Sequence, residues 1–386
     1  MDDNYNGREQ ARAKHALLRG YLQVLAYKLG CCGSTINYVD GFSGPWKSKD
    51  AELRDTSPYI ALEQLSHAHA NLVLDKRHPN FRCLFIEKNR QAYQRLDDLA
   101  SRFPSIEVRT LHGEFEDFVP DIKDFVTSGG RDPFGFVFID PKGWTGYSLS
   151  AITPLLRLRR IEFLINFMTN HITRFAGKRN PKIRATFADL FGKENFDRQW
   201  LHLIGREREG AIVDGYCQRL REVGNFPFAG SSVVLNPYQD RSHYHLVFTT
   251  RNIVGLQVYR NAEAKALALQ SSTRKQTQQQ ARIATTGQQE LFDAQETSRI
   301  SYVDELLRES HQRATQYLQR RLATPSIVSY RTLAGELMSF PMVSERHAKT
   351  WLMNHHETGR IRFLTPKHTR VPSLNRNDRV IILPVD

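Results

Sequence analysis

Three apolar runs, each ending in an acidic residue at a turn, limit the fold of this chain more than any other feature. Asn37-Tyr38-Val39-Asp40 runs into Gly41-Phe42-Ser43-Gly44-Pro45. Cys83-Leu84-Phe85-Ile86 ends in Glu87, and Phe136-Val137-Phe138-Ile139 ends in Asp140 and turns at Pro141-Lys142-Gly143-Trp144. Runs that are apolar at every position suit strands buried on both faces, as in a parallel sheet covered by helices. Loops leaving the carboxyl ends of such strands line the ligand crevice of a doubly wound sheet.

The rest of the chain agrees with β/α alternation. Leu17, Leu18, Leu22, Leu25, Ala26 and Leu29 have helical spacing within 7–30, and Gly30 is placed to stop that helix. Ser57-Pro58 opens another helix, with proline in the first turn. Helices are expected over 90–102, 115–126 and 149–158, and strands over 107–111, 135–139 and 161–167. A late hairpin is expected from 233–236 and 244–250. Between them, 170–225 reads as a helical insertion with basic and aromatic residues, among them Arg174, Phe175, Lys178, Arg179, Arg198 and Trp200.

Residues 270–298 are rich in Gln, Ser and Thr, which marks a linker or a weakly packed helix. The division expected is a Rossmann-like α/β domain over 1–260, a Gln-rich linker or helix over 261–310, and a compact tail over 311–386. Helices over 314–322 and 330–339, a third capped by Ser344, and strands at 359–363 and 379–383 outline a winged helix. Its third helix would present Glu345, Arg346, Lys349 and Asn354 to a nucleic-acid groove. Arg360, Arg362, Lys367, His368 and Arg370 would surround it from the strands and wing. Residues 324–386 carry a net charge of +4.

The whole chain of 386 residues has a formal charge of +13, which suits a polyanionic partner such as DNA or RNA. No apolar run approaches the length of a membrane span, and the first thirty residues show no secretory leader. Cys31, Cys32, Cys83 and Cys217 lack CxxC spacing, so reduced thiols in a cytoplasmic protein are expected and a zinc site is not. His67/His69 and His243/His245 have no metal-ligand spacing.

The acidic strand ends suggest a nucleotide-type cofactor. The loop Asp40-Gly41-Phe42-Ser43-Gly44 lacks the full G-x-G-x-x-G fingerprint. Its carboxylate suits an ammonium group or a water network better than a phosphate. Glu87 is placed to accept from two ribose hydroxyls, against the alternative of a surface carboxylate pairing Lys88 or Arg90. Glu114 is a candidate for the adenine amino group, with Glu116 and Asp117 nearby, and a helix N-terminal acid is the alternative.

Asp140, Pro141, Lys142 and Trp144 are the catalytic candidates. Asp140 would accept from a nucleobase amino group, Trp144 would stack on a flipped base, and Lys142 would hold a phosphate or carboxylate. The alternative is a turn whose tryptophan packs into the core. Asn166, Asn170 and His171 follow the next strand and face the same crevice if the sheet is ordered as expected. S-adenosylmethionine-dependent methyl transfer is the chemistry that best fits this set.

On Tyr38-Val39-Asp40-Gly41-Phe42-Ser43-Gly44-Pro45, Ser57-Pro58-Tyr59-Ile60-Ala61-Leu62, Phe85-Ile86-Glu87 and Phe138-Ile139-Asp140-Pro141, the chain resembles the three-Cys-motif partner (TcmP) family. The resemblance covers roughly 10–260. It implies a class I methyltransferase-like doubly wound fold and S-adenosylmethionine binding by Tyr38 through Gly44, Glu87, Glu114 and Asp140. It also implies a neighbouring partner protein with three cysteines, similar to a radical S-adenosylmethionine enzyme, and action on nucleic acid in repair or modification. The motif order is similar to adenine amino-group methyltransferases as well. Their (D/N)PP(Y/F) motif becomes Asp140-Pro141-Lys142-Gly143-Trp144 here, with Lys142 in place of the second proline.

Two readings follow. One is a nucleic-acid methyltransferase with a winged-helix tail. The other is a non-catalytic cofactor-binding adaptor that recruits DNA to the radical enzyme. A nuclease built on Asp140-x-Lys142 lacks a preceding acidic partner.

Overall fold

The computed structural model describes residues 5, 7–44, 48, 50–175, 180–194, 200–286, 301–365 and 371–384. Its centre is a seven-stranded sheet of order β3-β2-β1-β4-β5-β7-β6. The strands are β1 (Thr35–Asp40), β2 (Asn80–Glu87), β3 (Glu107–His112), β4 (Phe134–Ile139), β5 (Ile161–Phe167), β6 (Phe228–Leu235) and β7 (Ser242–Thr250). β1 to β5 are parallel, and β7 runs antiparallel between β5 and β6. The order reverses at β1, which pairs with β2 on one side and β4 on the other. A ligand crevice is expected at that switch point, outside the carboxyl ends.

Side chains alternate between the faces, so each apolar strand feeds two cores. Ile36, Tyr38, Phe85, Phe136, Phe138, Leu164, Leu246 and Phe248 point to one face. There α1 (Glu9–Gly30) packs between α2 (Ser57–Leu74) and α9 (Ile253–Thr286). Val39, Leu84, Ile86, Val137, Ile139, Ile165 and Val247 point to the other. α4 (Val119–Thr127), α5 (Leu149–Leu156) and α8 (Gly205–Gly224) cover that face. α3 (Arg90–Ala100) lies over β2 and β3. α6 (Thr169–Phe175) and α7 (Pro181–Phe191) follow β5.

The helical insertion expected over 170–225 is therefore narrower. α8 packs on β6 and β7 as a covering helix, so among the described residues α6 and α7 are the extra helices. Lys178, Arg179 and Arg198 lie outside the described residues.

Of the two readings of the Gln-rich stretch, linker or helix, the helix is found as far as the described residues reach. It is helix as far as Thr286, because its polar side chains find partners against the sheet. Gln270 Oε1 accepts from the Leu235 N–H at 2.8 Å, Thr273 Oγ1 accepts from Arg12 at 3.1 Å, and Arg274 donates to Asp240 at 2.5 Å. Composition reports polarity, whereas packing depends on whether each polar group is satisfied. Residues 287–300, with Gln288 and Gln289, lie outside the described residues.

The tail runs α10 (Tyr302–Arg321), β8 (Ser326–Ser329), α11 (Tyr330–Met338), α12 (Glu345–Glu357), β9 (Ile361–Leu364) and β10 (Arg379–Ile382). Its antiparallel sheet has the order β8-β10-β9. Ser344 and His347 form a reciprocal cap at the start of α12. A buried ion pair ties the tail to the sheet. Arg260 donates to Glu263 at 2.8 Å, to the Ser231 carbonyl of β6 at 2.9 Å and to the Met338 carbonyl at 2.7 Å. Glu263 Oε2 also accepts from the Met342 N–H at 3.1 Å. Gly335 lets α11 approach β6, since a Cβ there would sit 2.1 Å from the Phe228 ring.

No helix among the described residues is long and apolar enough to cross a membrane.

Candidate active site

Even spacing along the strands puts Asp40, Glu87, Asp140 and Asn166 at carboxyl ends, on the face that Tyr38, Phe85, Phe138 and Leu164 share with α1 and α2. The loop after β1 is pinned to both neighbours. Gly41 N–H donates to the Phe138 carbonyl at 3.0 Å, and Ser43 N–H donates to the Ile86 carbonyl at 2.9 Å. The Ile86 N–H returns a bond to Ser43 Oγ at 3.2 Å. Gly41 is demanded by packing, because a Cβ would lie 2.5 Å from the Phe115 ring. Phe42 and Gly44 are half-buried, and Pro45 lies outside the described residues.

Asp40 and Tyr38 are both fully buried, which changes their expected roles. Tyr38 stacks on Phe136 and donates to Asp40 Oδ2 at 3.4 Å, so it supports the site from beneath and does not line it. Asp40 Oδ1 accepts from the Phe42 N–H at 3.1 Å, shaping the loop whose backbone faces the crevice. Burial raises its carboxyl to about 7. The Ser57 and Phe42 donors oppose that rise, nearby Asp140 adds to it, and Lys14 opposes it.

Glu87 is 2% exposed and its Oε1 accepts from the Asn89 N–H at 2.6 Å. No ion pair reaches it among the described residues. Burial raises its carboxyl above the usual range, against the pull of that N–H, Lys142 and Lys88. Glu87 is thus a buried carboxylate held by the backbone N–H groups of Asn89 and Lys88 and not a surface group paired with Lys88 or Arg90. Glu114, by contrast, is exposed and pairs with Lys88 at 3.4 Å.

Asp140 is held in a way sequence reasoning missed. Lys14 of α1 forms an ion pair with Oδ2, and Asn166 Nδ2 donates to Oδ1 at 2.6 Å. Each carboxylate oxygen thus carries one donor, and the side chain keeps 17% of its surface exposed. No motif marks Lys14, which lies 126 residues upstream on an apolar-patterned helix. Its one signal is that it is a buried lysine on the sheet-facing side.

Pro141 is buried and Lys142 is exposed, close enough to Glu87 to act on its charge. Trp144 is half-buried. Its Nε1–H donates to Thr186 at 3.1 Å, and its ring meets His171, Phe175 and Phe187 at 5.3–5.7 Å between centroids. Its faces therefore contribute to a ring cluster joining the β4 loop to α6 and α7. His243, at the start of β7, is half-buried with Nδ1 unpartnered, and its pKa is lowered by burial first, then by Arg241, His171 and Lys14.

Beside this edge a cleft of ≈ 1150 Å³ opens between α6, the start of α8, the β6–β7 turn and α10. Asn170, Arg174, Arg206, Arg208, Arg241 and Tyr302 are among its lining residues. Of these only Asn170 and Arg174 are legible beforehand, because the rest depend on how the insertion and tail dock.

In the tail, Arg346 and Arg362 are exposed, while Lys349 and Arg360 are half-buried. Arg360 donates to the Leu322 carbonyl at 3.4 Å. Glu345 is bonded to Gln257 of α9, which removes it from the expected reading face. Lys367, His368 and Arg370 lie outside the described residues. Among the described residues no group of three or more His, Cys, Asp or Glu side chains is placed to hold a metal ion.

No family model matches the chain, and no curated protein matches it. Among solved structures it is similar to the crystal structure of a "putative methyltransferase" from Thermobifida fusca YX. That likeness has 9% identity and a TM-score of 0.32, and covers 62% of this chain and 79% of the other. A likeness at this level carries no inference about activity. The α/β class and mostly parallel sheet rest on the strand order described above.

Proposed function

We propose that this chain is an S-adenosylmethionine-dependent methyltransferase acting on nucleic acid. The observation that carries the reading is Glu87, a carboxylate buried at the end of β2 beside the switch point, with the backbone N–H groups of Asn89 and Lys88 as its near donors. An ionised group buried this way is costly unless more donors reach it. Two ribose hydroxyls would supply them. The donor set fits the cofactor: acidic strand ends, with no lysine or arginine within 40–44, suit an ammonium and a ribose better than a pyrophosphate. In that arrangement Glu87 would hold the ribose, the 41–44 backbone would face the methionine portion, and Asp40 would keep that backbone in shape. The bound cofactor supplies an activated methyl group, and the protein positions the acceptor.

The nucleic-acid part rests on the +13 charge and the tail. The tail's helix–strand–helix–helix–strand–strand order supports a winged helix, with Arg346, Lys349, Arg360 and Arg362 as backbone contacts. A second reading, the cofactor-binding adaptor beside a three-Cys-motif partner, is favoured by one observation: both oxygens of Asp140 are engaged, as a lost amino-methylating motif would leave them.

Calorimetric titration of S-adenosylhomocysteine tests both readings, since each requires cofactor binding. Glu87→Gln is expected to weaken binding by about ten- to hundredfold, the worth of one or two hydrogen bonds to a charged group. No binding to the parent chain overturns both readings. Binding without labelled-methyl transfer to DNA or RNA leaves the adaptor.

A further inference from the structure

The fixed orientation of Asn166 decides what the acceptor pocket can recognise. Asn166 is the penultimate residue of β5 and is 4% exposed. Its NH2 group faces the Asp140 carboxylate and donates to Oδ1 at 2.6 Å. Lys14 on Oδ2 holds the Asp140 side chain from the other side. The carboxamide thus cannot turn over, and its Oδ1 is left buried with no hydrogen-bond partner. Native interiors rarely leave an acceptor in that state without a ligand or water for it. The loop bearing Trp144 and the helix bearing His171 leave the same sheet edge from β4 and β5, with their rings 5.7 Å apart. A second unpartnered buried atom, His243 Nδ1, lies at the neighbouring end of β7.

We infer that Asn166 Oδ1, and not Asp140, receives an N–H of the substrate's planar heterocycle, with Lys14 and Asp140 as the positioning pair. The inference rests on the proposed methyltransferase reading for its biological meaning, but the recognition it describes is measurable without the cofactor. The ligand class is a nucleobase with an exocyclic amine.

The probes are two nucleoside pairs that differ only in that amine: adenosine against purine riboside, and cytidine against 2-pyrimidinone riboside. Each is titrated into the full chain, alone and with S-adenosylhomocysteine, and followed by ligand-observed NMR. The amine-bearing member of one pair should bind about tenfold more tightly, the worth of one buried hydrogen bond. The ratio should fall to near one in Asn166→Ala, while S-adenosylhomocysteine affinity stays within about twofold.

Lys14→Met distinguishes the two acceptors. If Asp140 received the amine, freeing its second oxygen would raise the ratio. With Asn166 as the acceptor the ratio falls, because the carboxamide loses its anchor. A ratio near one in the parent chain, a ratio that survives Asn166→Ala, a rise in Lys14→Met, or no binding of any probe at millimolar concentration overturns the inference. Should Asn166→Ala fail to fold, the parent ratio and Lys14→Met decide it. Amine preference without S-adenosylhomocysteine binding would remove the cofactor reading and leave the subsite.

Discussion

Asp40 makes the stability of this protein fall as pH rises, and the size of the fall follows from its burial. The side chain is fully buried, and its carboxyl is raised from 3.8 to about 7. Below the lower value both folded and unfolded chains carry the proton. Between the two, the unfolded chain has lost it while the folded chain keeps it, so each step up in pH favours unfolding. Above about 7 both are ionised and the loss is complete. At about 1.4 kcal/mol per pH unit, the whole window from 3.8 to about 7 is worth about 4 kcal/mol.

Asp40→Asn keeps the shape and removes the titration. The parent chain should therefore lose about 3 kcal/mol relative to the variant between roughly pH 5 and pH 8. Glu162 is raised to about 7 by burial as well, against its bonds from Thr250 and Tyr21. Its slope is common to both proteins and cancels in the difference. Guanidinium unfolding midpoints at half-unit pH steps measure it. A parent–variant difference that stays constant to about 0.5 kcal/mol across that range would refute the reasoning, because Asp40 would then be ionised throughout.

Two packing features give further outcomes. Gly41→Ala drives a methyl into the Phe115 ring and should cost about 1–3 kcal/mol by overpacking, with Phe115→Leu in the same chain restoring most of it in thermal unfolding. Arg260→Met leaves Glu263 charged, buried and unpaired, a loss of about 3–5 kcal/mol. Limited proteolysis should then release the tail. Arg260→Met with Glu263→Leu should recover resistance, and a single variant as resistant as the parent would show that the pair does not hold the tail.

Strand ends were legible because a β-strand's chemistry is local. An apolar run on both faces followed by an acid and a turn leaves few alternatives, and Asp40, Glu87 and Asp140 all stand at the ends of β1, β2 and β4 as that pattern requires. The same locality made Ser344 readable as a helix cap, since a cap depends on residues within one turn.

What the pattern left open depends on atoms brought together from far along the chain. Lys14 meets Asp140 only because α1 crosses the sheet face. That contact holds Asp140 on one oxygen while Asn166 holds it on the other. The Gln-rich stretch is a packed helix because Leu235, Arg12 and Asp240 happen to satisfy it. Trp144 became part of a ring cluster because α6 and α7 fold over it. Sequence by itself determined which residues stand at the carboxyl edge. Tertiary structure decided which of their polar atoms are already partnered and which remain open to a ligand, because a hydrogen bond is settled by proximity in space and not by position in the chain.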